Sequence, residues 1–389
     1  MKLEFSKNLE YFNEGIFNIL NKKKNELLRN GKKVYNLSVG TPDFKPENHV
    51  INALLESASN PENWKYSLGD LDELLEAVSN HYKNRFNVNL AKDEIMSVNG
   101  SQEGLTHIGM SLINKGDIVL VPNPGYPIFD IGPFLSGAII EYYNLLPENN
   151  YLPDLKSIPL ETLEKTKFMV VSYPANPVCA IAPPSFYKEL IDFANKHNII
   201  IVHDNAYSDI VYDNNYGGSF LSYEGAKDVG VEFYSLSKSY NITGARVSFL
   251  LGNKEIISKF KTLRSQIDYG IFTPIQRAAI AALNGPQEGV ELQRKEYEKR
   301  RNALCSGLRS IGWNVPDSKG TMFTWAPIPD KFKDSTSFVM ELMDKTGVIC
   351  TPGNAFGSLG EGYVRFALVL PVNEINEAIK VINDSNILK

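Results

Sequence analysis

Cysteine is scarce in this chain of 389 residues. It occurs at Cys179, Cys305 and Cys350, with no CxxC pair, which excludes a disulfide framework and a cysteine zinc site. The five histidines, at positions 49, 81, 107, 197 and 203, show no ligand spacing, so no metal is expected. An excess of positive charge is also missing. Forty Lys and Arg against 45 Asp and Glu give a formal net charge of −5, which argues against a nucleic-acid partner. No run of about 20 apolar residues is present to span a membrane. The opening MKLEFSKNLEYFNEG is charged where a signal peptide would be apolar. No GxGxxG follows the first strand-like segments, and the glycines of GNAFGSLGEG come too late, which disfavours a nicotinamide enzyme. These absences leave a reduced, cytoplasmic protein with no membrane or nucleic-acid partner as the expectation.

What is present is a globular composition, 43% hydrophobic and 22% charged, long enough for more than one core. Residues 1–45 read as a helical arm leading into a short strand, VYNLSVG. From about residue 70 helix and strand alternate. DLDELLEAVSNHYKNRF and SQEGLTHIGMSLI have helical spacing, and EIMSVNG, DIVLVPN, AIIEYYNL, KFMVVSY, IIIVHDNAY, EFYSLSK and ARVSFLLG read as strands. Continuous apolar runs such as IIIV belong to a sheet covered on both faces. An α/β fold follows, with a large domain over 46–285 whose mostly parallel sheet is covered by helices. A long helical stretch is expected over about 254–311. Short strands at 321–327, 347–352 and 362–369 and a final helix near 373–384 give a smaller α+β C-terminal domain, 286–389, joined by the N-terminal arm.

Five short segments carry candidate chemistry. In SLSKSYNITGAR (235–246) a lysine sits among hydroxyls and glycine just after an apolar strand. A lysine with a lowered pKa is a nucleophile and base and forms a Schiff base with an aldehyde, although a plain surface-loop lysine fits the segment equally well. IIIVHDNAY places Asp204 at the carboxyl end of a central strand, where open α/β sheets bind ligands; taken alone it is equally a capping residue. SYPANP (172–177) and VNGSQEG (98–104) are turns after strands, and the second opens a helix whose N-terminus suits an anion. Arg365 lies inside the apolar strand GYVRFAL and must pair or face a cavity; its planar fork suits a carboxylate.

Taken together and in this order, these segments resemble the class I/II pyridoxal-phosphate-dependent aminotransferases of fold type I, from VGTPDF to GYVRFAL. The resemblance implies pyridoxal 5'-phosphate as cofactor, with Lys238 as the lysine that holds it and Asp204 as the carboxylate that keeps its ring nitrogen protonated. Asn176 and Tyr207 are implied as hydrogen-bond donors to its phenolic oxygen, and Tyr126 as the aromatic stacked on its ring. The phosphate cup is implied to comprise Ser101 and Gln102, Ser235 and Ser237, Arg246, and Tyr66 from a neighbouring subunit, which makes a homodimer with shared sites. Gly40 and Arg365 are implied, with Asn176, in substrate binding, Arg365 as the clamp on the α-carboxylate.

The same resemblance implies ping-pong transfer of an amino group between an amino acid and a 2-oxo acid, with Lys238 as general base and then acid. The alternative is a carbon–sulfur β-lyase, which uses the same lysine, aspartate and arginine. A ligand sensor on this fold would need a fused DNA-binding segment, and the arm is too short for one. Gly100–Ser101–Gln102 lacks the lysine found in some members that prefer dicarboxylic acids. The arm is similar to that of members acting on diaminopimelate, alanine or other amino acids. Arg264 and Arg277 stand as further candidates for a second carboxylate, with solvated or paired arginines as the alternative.

Overall fold

A computed structural model of the chain describes residue 1, residues 3–12 and residues 15–389. The chain divides into two compact units, one of 41–298 with 318–322 and one of 1–40, 299–317 and 323–389. The larger unit reaches past residue 285 into the first turns of the helix Glu288–Ser310.

The large unit is built on seven strands, β1 (Ile95–Val98), β2 (Ile118–Asn123), β3 (Ile139–Asn144), β4 (Thr166–Ser172), β5 (Ile200–Asn205), β6 (Gly230–Ser235) and β7 (Ser248–Gly252). Their spatial order is β1-β7-β6-β5-β4-β2-β3. Only β7 runs against its neighbours. The six strands other than β3 are buried almost throughout, because helices shield both faces of a largely parallel sheet. The edge strand β3, IIEYYN, is mostly exposed. Val98, Val121, Val170, Val202, Phe233 and Leu250 belong to one core, which helix residues Leu105, Ile108 and Phe260 join.

The smaller unit holds a three-stranded antiparallel sheet, in which Phe323–Pro327 and Thr351–Pro352 flank Tyr363–Ala367. The strand expected over 34–40 pairs only at Tyr35–Asn36, in parallel with Val348–Ile349. The helical arm is a 3-10 turn, Lys7–Tyr11, and the helix Ile16–Arg29.

One expectation needs correction. The helical stretch over 254–311 is three helices, Lys254–Arg264, Thr273–Asn284 and Glu288–Ser310. Tyr269 at φ 57° and Gly270 break the first from the second. Pro274 then opens the new helix, where its missing N–H costs nothing. Helices Asn48–Ser59, Ile128–Leu135 and Ser335–Thr346 were not anticipated; the second even contains Pro133.

Candidate active site

Sheet register brings the candidate residues of the large unit to one edge. Asp204 pairs with Ser172 on one side and Phe233 on the other, and Ser248 pairs with both Ser235 and Val98. Because β1 and β6 both run antiparallel to β7, their carboxyl ends share an edge with the amino end of β7. The turns leaving that edge carry Ser101, Tyr126, Asn176, Tyr207 and Lys238, and Arg246 enters it. This is the ligand-binding edge of an open α/β sheet.

Asp204 is 6% exposed, and its Oδ1 has no hydrogen-bond partner among the described residues. Burial, and then the charge of Glu232, push its carboxyl up to about 7. An orphaned buried carboxylate oxygen is costly, and a cationic N–H donor would satisfy it. Asn176 and Tyr207 are buried beyond the ends of β4 and β5.

Lys238 lies half-buried on a single helical turn, Leu236–Ser239. Ser235 Oγ caps that turn by accepting from the Ser237 N–H at 3.2 Å. The carbonyl of Lys238 accepts from Gln293 Nε2 at 2.7 Å, and Asn241 Nδ2 donates to Gln293 Oε1 at 2.7 Å. Gln293 lies 55 residues downstream on another helix, and nothing in its own sequence neighbourhood marks it. Asp209 similarly accepts from Ser239 Oγ at 2.6 Å, from Tyr234 at 3.1 Å and from Arg85 Nε at 3.2 Å.

The anion cradle is formed where helix Ser101–Leu112 begins. Gly100 sits at φ +84°, and a Cβ there would meet Arg246 Nη2 at 2.3 Å. Only glycine admits both that backbone and so close a guanidinium. Gly104, whose Cβ would meet the Phe233 ring at 2.4 Å, lets the same helix seat on β6. The Ser101 N–H donates to Ser248 Oγ at 3.0 Å, while Ser101 Oγ is buried without a partner among the described residues. Ser235 and Ser237 are buried nearby along the same edge. Tyr126, whose hydroxyl donates to Gln102 Oε1 at 3.4 Å, packs edge-on to Phe129. A partnerless hydroxyl, an arginine and a helix N-terminus suit a phosphate. With the orphaned Asp204 oxygen, these residues fit pyridoxal phosphate.

Buried polar groups brace the cradle from behind. Arg264, 1% exposed, donates to Asp268 Oδ1 at 2.6 Å and Oδ2 at 2.8 Å, and to Glu103 Oε2 at 3.0 Å. Asn99 donates through its N–H to Glu103 and through Nδ2 to Asp268, each at 3.0 Å. Arg264 is therefore a structural arginine committed to two carboxylates. Arg277 is paired with Glu73 at 3.1 Å.

In the small unit, Arg365 is 3% exposed. Its guanidinium lies 3.9 Å from the Phe323 ring centroid and 4.6 Å from that of Phe356, and its Nη2 donates to the Ser38 carbonyl at 3.2 Å. A Cβ on Gly40 would meet Phe323 at 2.5 Å, so Gly40 and Arg365 pack on the same ring. Tyr66 is 86% exposed, with its ring 6.0 Å from that of Tyr269. All three cysteines are buried and form no disulfide among the described residues, and no described helix is long and apolar enough to cross a membrane.

Known proteins resemble this chain over most of its length. The sequence profile of the family described as "Aminotransferase class I and II" matches residues 32–382. An LL-diaminopimelate aminotransferase of Halothermothrix orenii is 43% identical over 361 residues, 92% of each chain. One of Aquifex aeolicus is 40% identical over 383 residues, covering 98% of this chain and 99% of that one. Among solved structures, substrate-bound BacF from Bacillus subtilis superposes with a TM-score of 0.95 at 34% identity, over 99% of this chain and 98% of that one.

Proposed function

Since the chain belongs to the class I and II aminotransferases, which are pyridoxal-phosphate enzymes, we propose that its amino donor is LL-diaminopimelate and its acceptor a 2-oxo acid. The relatives of about 40% identity that carry that name over more than nine-tenths of the chain support this donor. They support a transaminase and not the carbon–sulfur lyase. The observation that carries the chemistry is the partnerless, buried Oδ1 of Asp204 at the strand edge that leads to Lys238.

When bound, pyridoxal phosphate supplies a carbonyl carbon for the amine and a ring that delocalises the electron pair left on Cα. The protein's own groups do the rest. Asp204 holds the ring nitrogen's proton in place by charge. Ser101, Gln102, Ser235, Ser237 and Arg246 would hold the phosphate, and Asn176, Tyr207 and Tyr126 would hold the ring. Arg365 would hold the donor's α-carboxylate, with Gly40 packed on the same Phe323 ring. Lys238 would take the Cα proton as a neutral amine and give it back as an ammonium. Release of one oxo acid before the second binds gives ping-pong kinetics.

A panel of amino donors with 2-oxoglutarate tests the reading. LL-diaminopimelate should give glutamate in step with donor consumed, and each half-reaction alone should change the cofactor absorbance. Pyruvate and ammonia released without an acceptor would show a lyase, and transfer only from other donors would overturn the donor.

The enzyme works as a cytoplasmic homodimer. Trp64, Tyr66 and Leu68 are 65%, 86% and 77% exposed. Trp64 packs on Phe272 at 5.1 Å and Tyr66 on Tyr269 at 6.0 Å, which makes one exposed aromatic patch. Such a patch suits burial against another protein surface, and the occupant is a second copy whose cradle receives Tyr66. Tyr66→Ala and Lys238→Ala homodimers should each be impaired. Mixed and re-assembled, they should regain activity, because a hybrid carries one complete site. No gain on mixing would place Tyr66 in its own chain's structure only.

A further inference from the structure

Beside Asp204 lies a second carboxylate that the chemistry above leaves unused. Glu232, on β6, is fully buried and stands in register with His203 on β5. Successive strand residues point to opposite faces, so this pair lies on the sheet face away from Asp204. Glu232 is held by four donors. Oε1 accepts from Tyr82 Oη at 2.6 Å and Ser219 Oγ at 2.7 Å, and Oε2 accepts from the Phe220 N–H at 2.8 Å and His203 Nδ1 at 3.0 Å. Burial pushes its carboxyl up, but the bonds from His203, Tyr82 and Ser219 outweigh burial and hold it below the usual range. The group is a carboxylate in a dry interior, where its field is weakly screened.

We propose that Glu232 is a positioning residue for the transamination, a fixed negative charge behind the sheet that keeps a proton between Asp204 and the cofactor ring nitrogen. The titratable groups around it are Tyr82 on helix Asp72–Phe86, His203 on β5 and, beyond His203 at 3.4 Å, Tyr187 on helix Pro184–His197. Tyr234 and Asp209 act on Tyr82 through space. Among these only His203 is basic. Burial first, and Glu232 second, raise the Asp204 carboxyl. The same negative field favours the proton on whichever of the two atoms carries it, so it defends the ring charge against rising pH.

This rests on the reading of Asp204 as partner of the ring nitrogen, and the test separates the two. In cofactor-free enzyme, infrared spectra with 13C-labelled aspartate or glutamate should show a protonated aspartate titrating near neutrality and no protonated glutamate there. In Glu232→Gln the aspartate titration should fall by about one pH unit or more, a tenfold loss of proton affinity. In holoenzyme carrying 15N-labelled pyridoxal phosphate, the ring nitrogen should lose its proton at correspondingly lower pH. Above that pH kcat should fall while KM for the donor holds. Tyr82→Phe, which keeps the carboxylate, should not lower either titration; a merely structural network would affect both variants alike. A folded Glu232→Gln with the aspartate titration unmoved overturns the proposal. If Glu232→Gln does not fold, the unmodified protein decides: an ionised glutamate upholds it and a protonated one overturns it. An aspartate that moves as expected while the ring nitrogen does not would instead refute the pairing of Asp204 with the ring.

Discussion

Replacing Lys238 by alanine should lower turnover by about 10,000-fold or more while leaving the fold intact. The loss is large because one amine serves as covalent anchor, general base and general acid, and proton transfer alone contributes on the order of 10²–10⁴. The fold should survive because the loop is held through main chain and neighbours. Gln293 clamps the carbonyl of residue 238, Ser235 caps the turn, and Asp209 holds Ser239. The check is the single half-reaction with LL-diaminopimelate, followed by cofactor absorbance, beside a circular dichroism spectrum. More than a trace of residual turnover would remove Lys238 from its role.

Asp204→Asn should have two separable effects. With cofactor bound, an amide in place of the carboxylate leaves a ring cation without its counter-charge, and turnover should fall by about 1,000-fold, the scale of losing one preorganised electrostatic partner. Without cofactor, the same change should stabilise the protein at alkaline pH. Burial and Glu232 hold the native carboxyl at about 7, against about 3.9 in the unfolded chain. Between those values the native state holds a proton that the unfolded state has released, so this group's stabilisation is complete below about pH 4 and is lost as pH rises to about 7. The loss reaches roughly 4 kcal/mol at most. Cofactor-free wild type and Asp204→Asn should therefore melt alike near pH 4, and the variant should melt higher at pH 8. Melting curves that stay parallel across that range would mean that the carboxyl is already ionised or solvated.

The periodicity of the large unit was readable because its strands are buried on both faces and appear as unbroken apolar runs. IIIV and VVS announce themselves in this way, whereas the mostly exposed edge strand IIEYYN shows only a short run of β-branched and aromatic residues. The helices over 48–59 and 128–135 escaped notice for a local reason. Glu47 and Pro127 are not strong capping residues, and Gly132–Pro133 reads as a turn until packing overrides it. The reverse error joined three helices into one, since the exposed faces of 254–311 are rich in helix formers throughout and the breaks rest on two or three residues.

The candidate residues for the chemistry were legible because they occupy short segments at strand ends, where SLSKSYNITGAR and IIIVHDNAY each keep several candidate side chains close together along the chain. By itself the sequence determined the globular composition with its small net negative charge, the α/β alternation, and the lysine, aspartate and arginines available for the chemistry. Only the tertiary structure decided how those groups are supported. Gln293 on the lysine carbonyl, Arg264 locked behind the cradle, Ser248 on the Ser101 amide and Glu232 behind Asp204 are all partners distant in sequence. Hydrogen bonds and fields act over a few ångströms of space and are indifferent to chain separation. A residue's partner, and with it its charge state, is therefore set by the folding of the sheet and not by its neighbours in the chain.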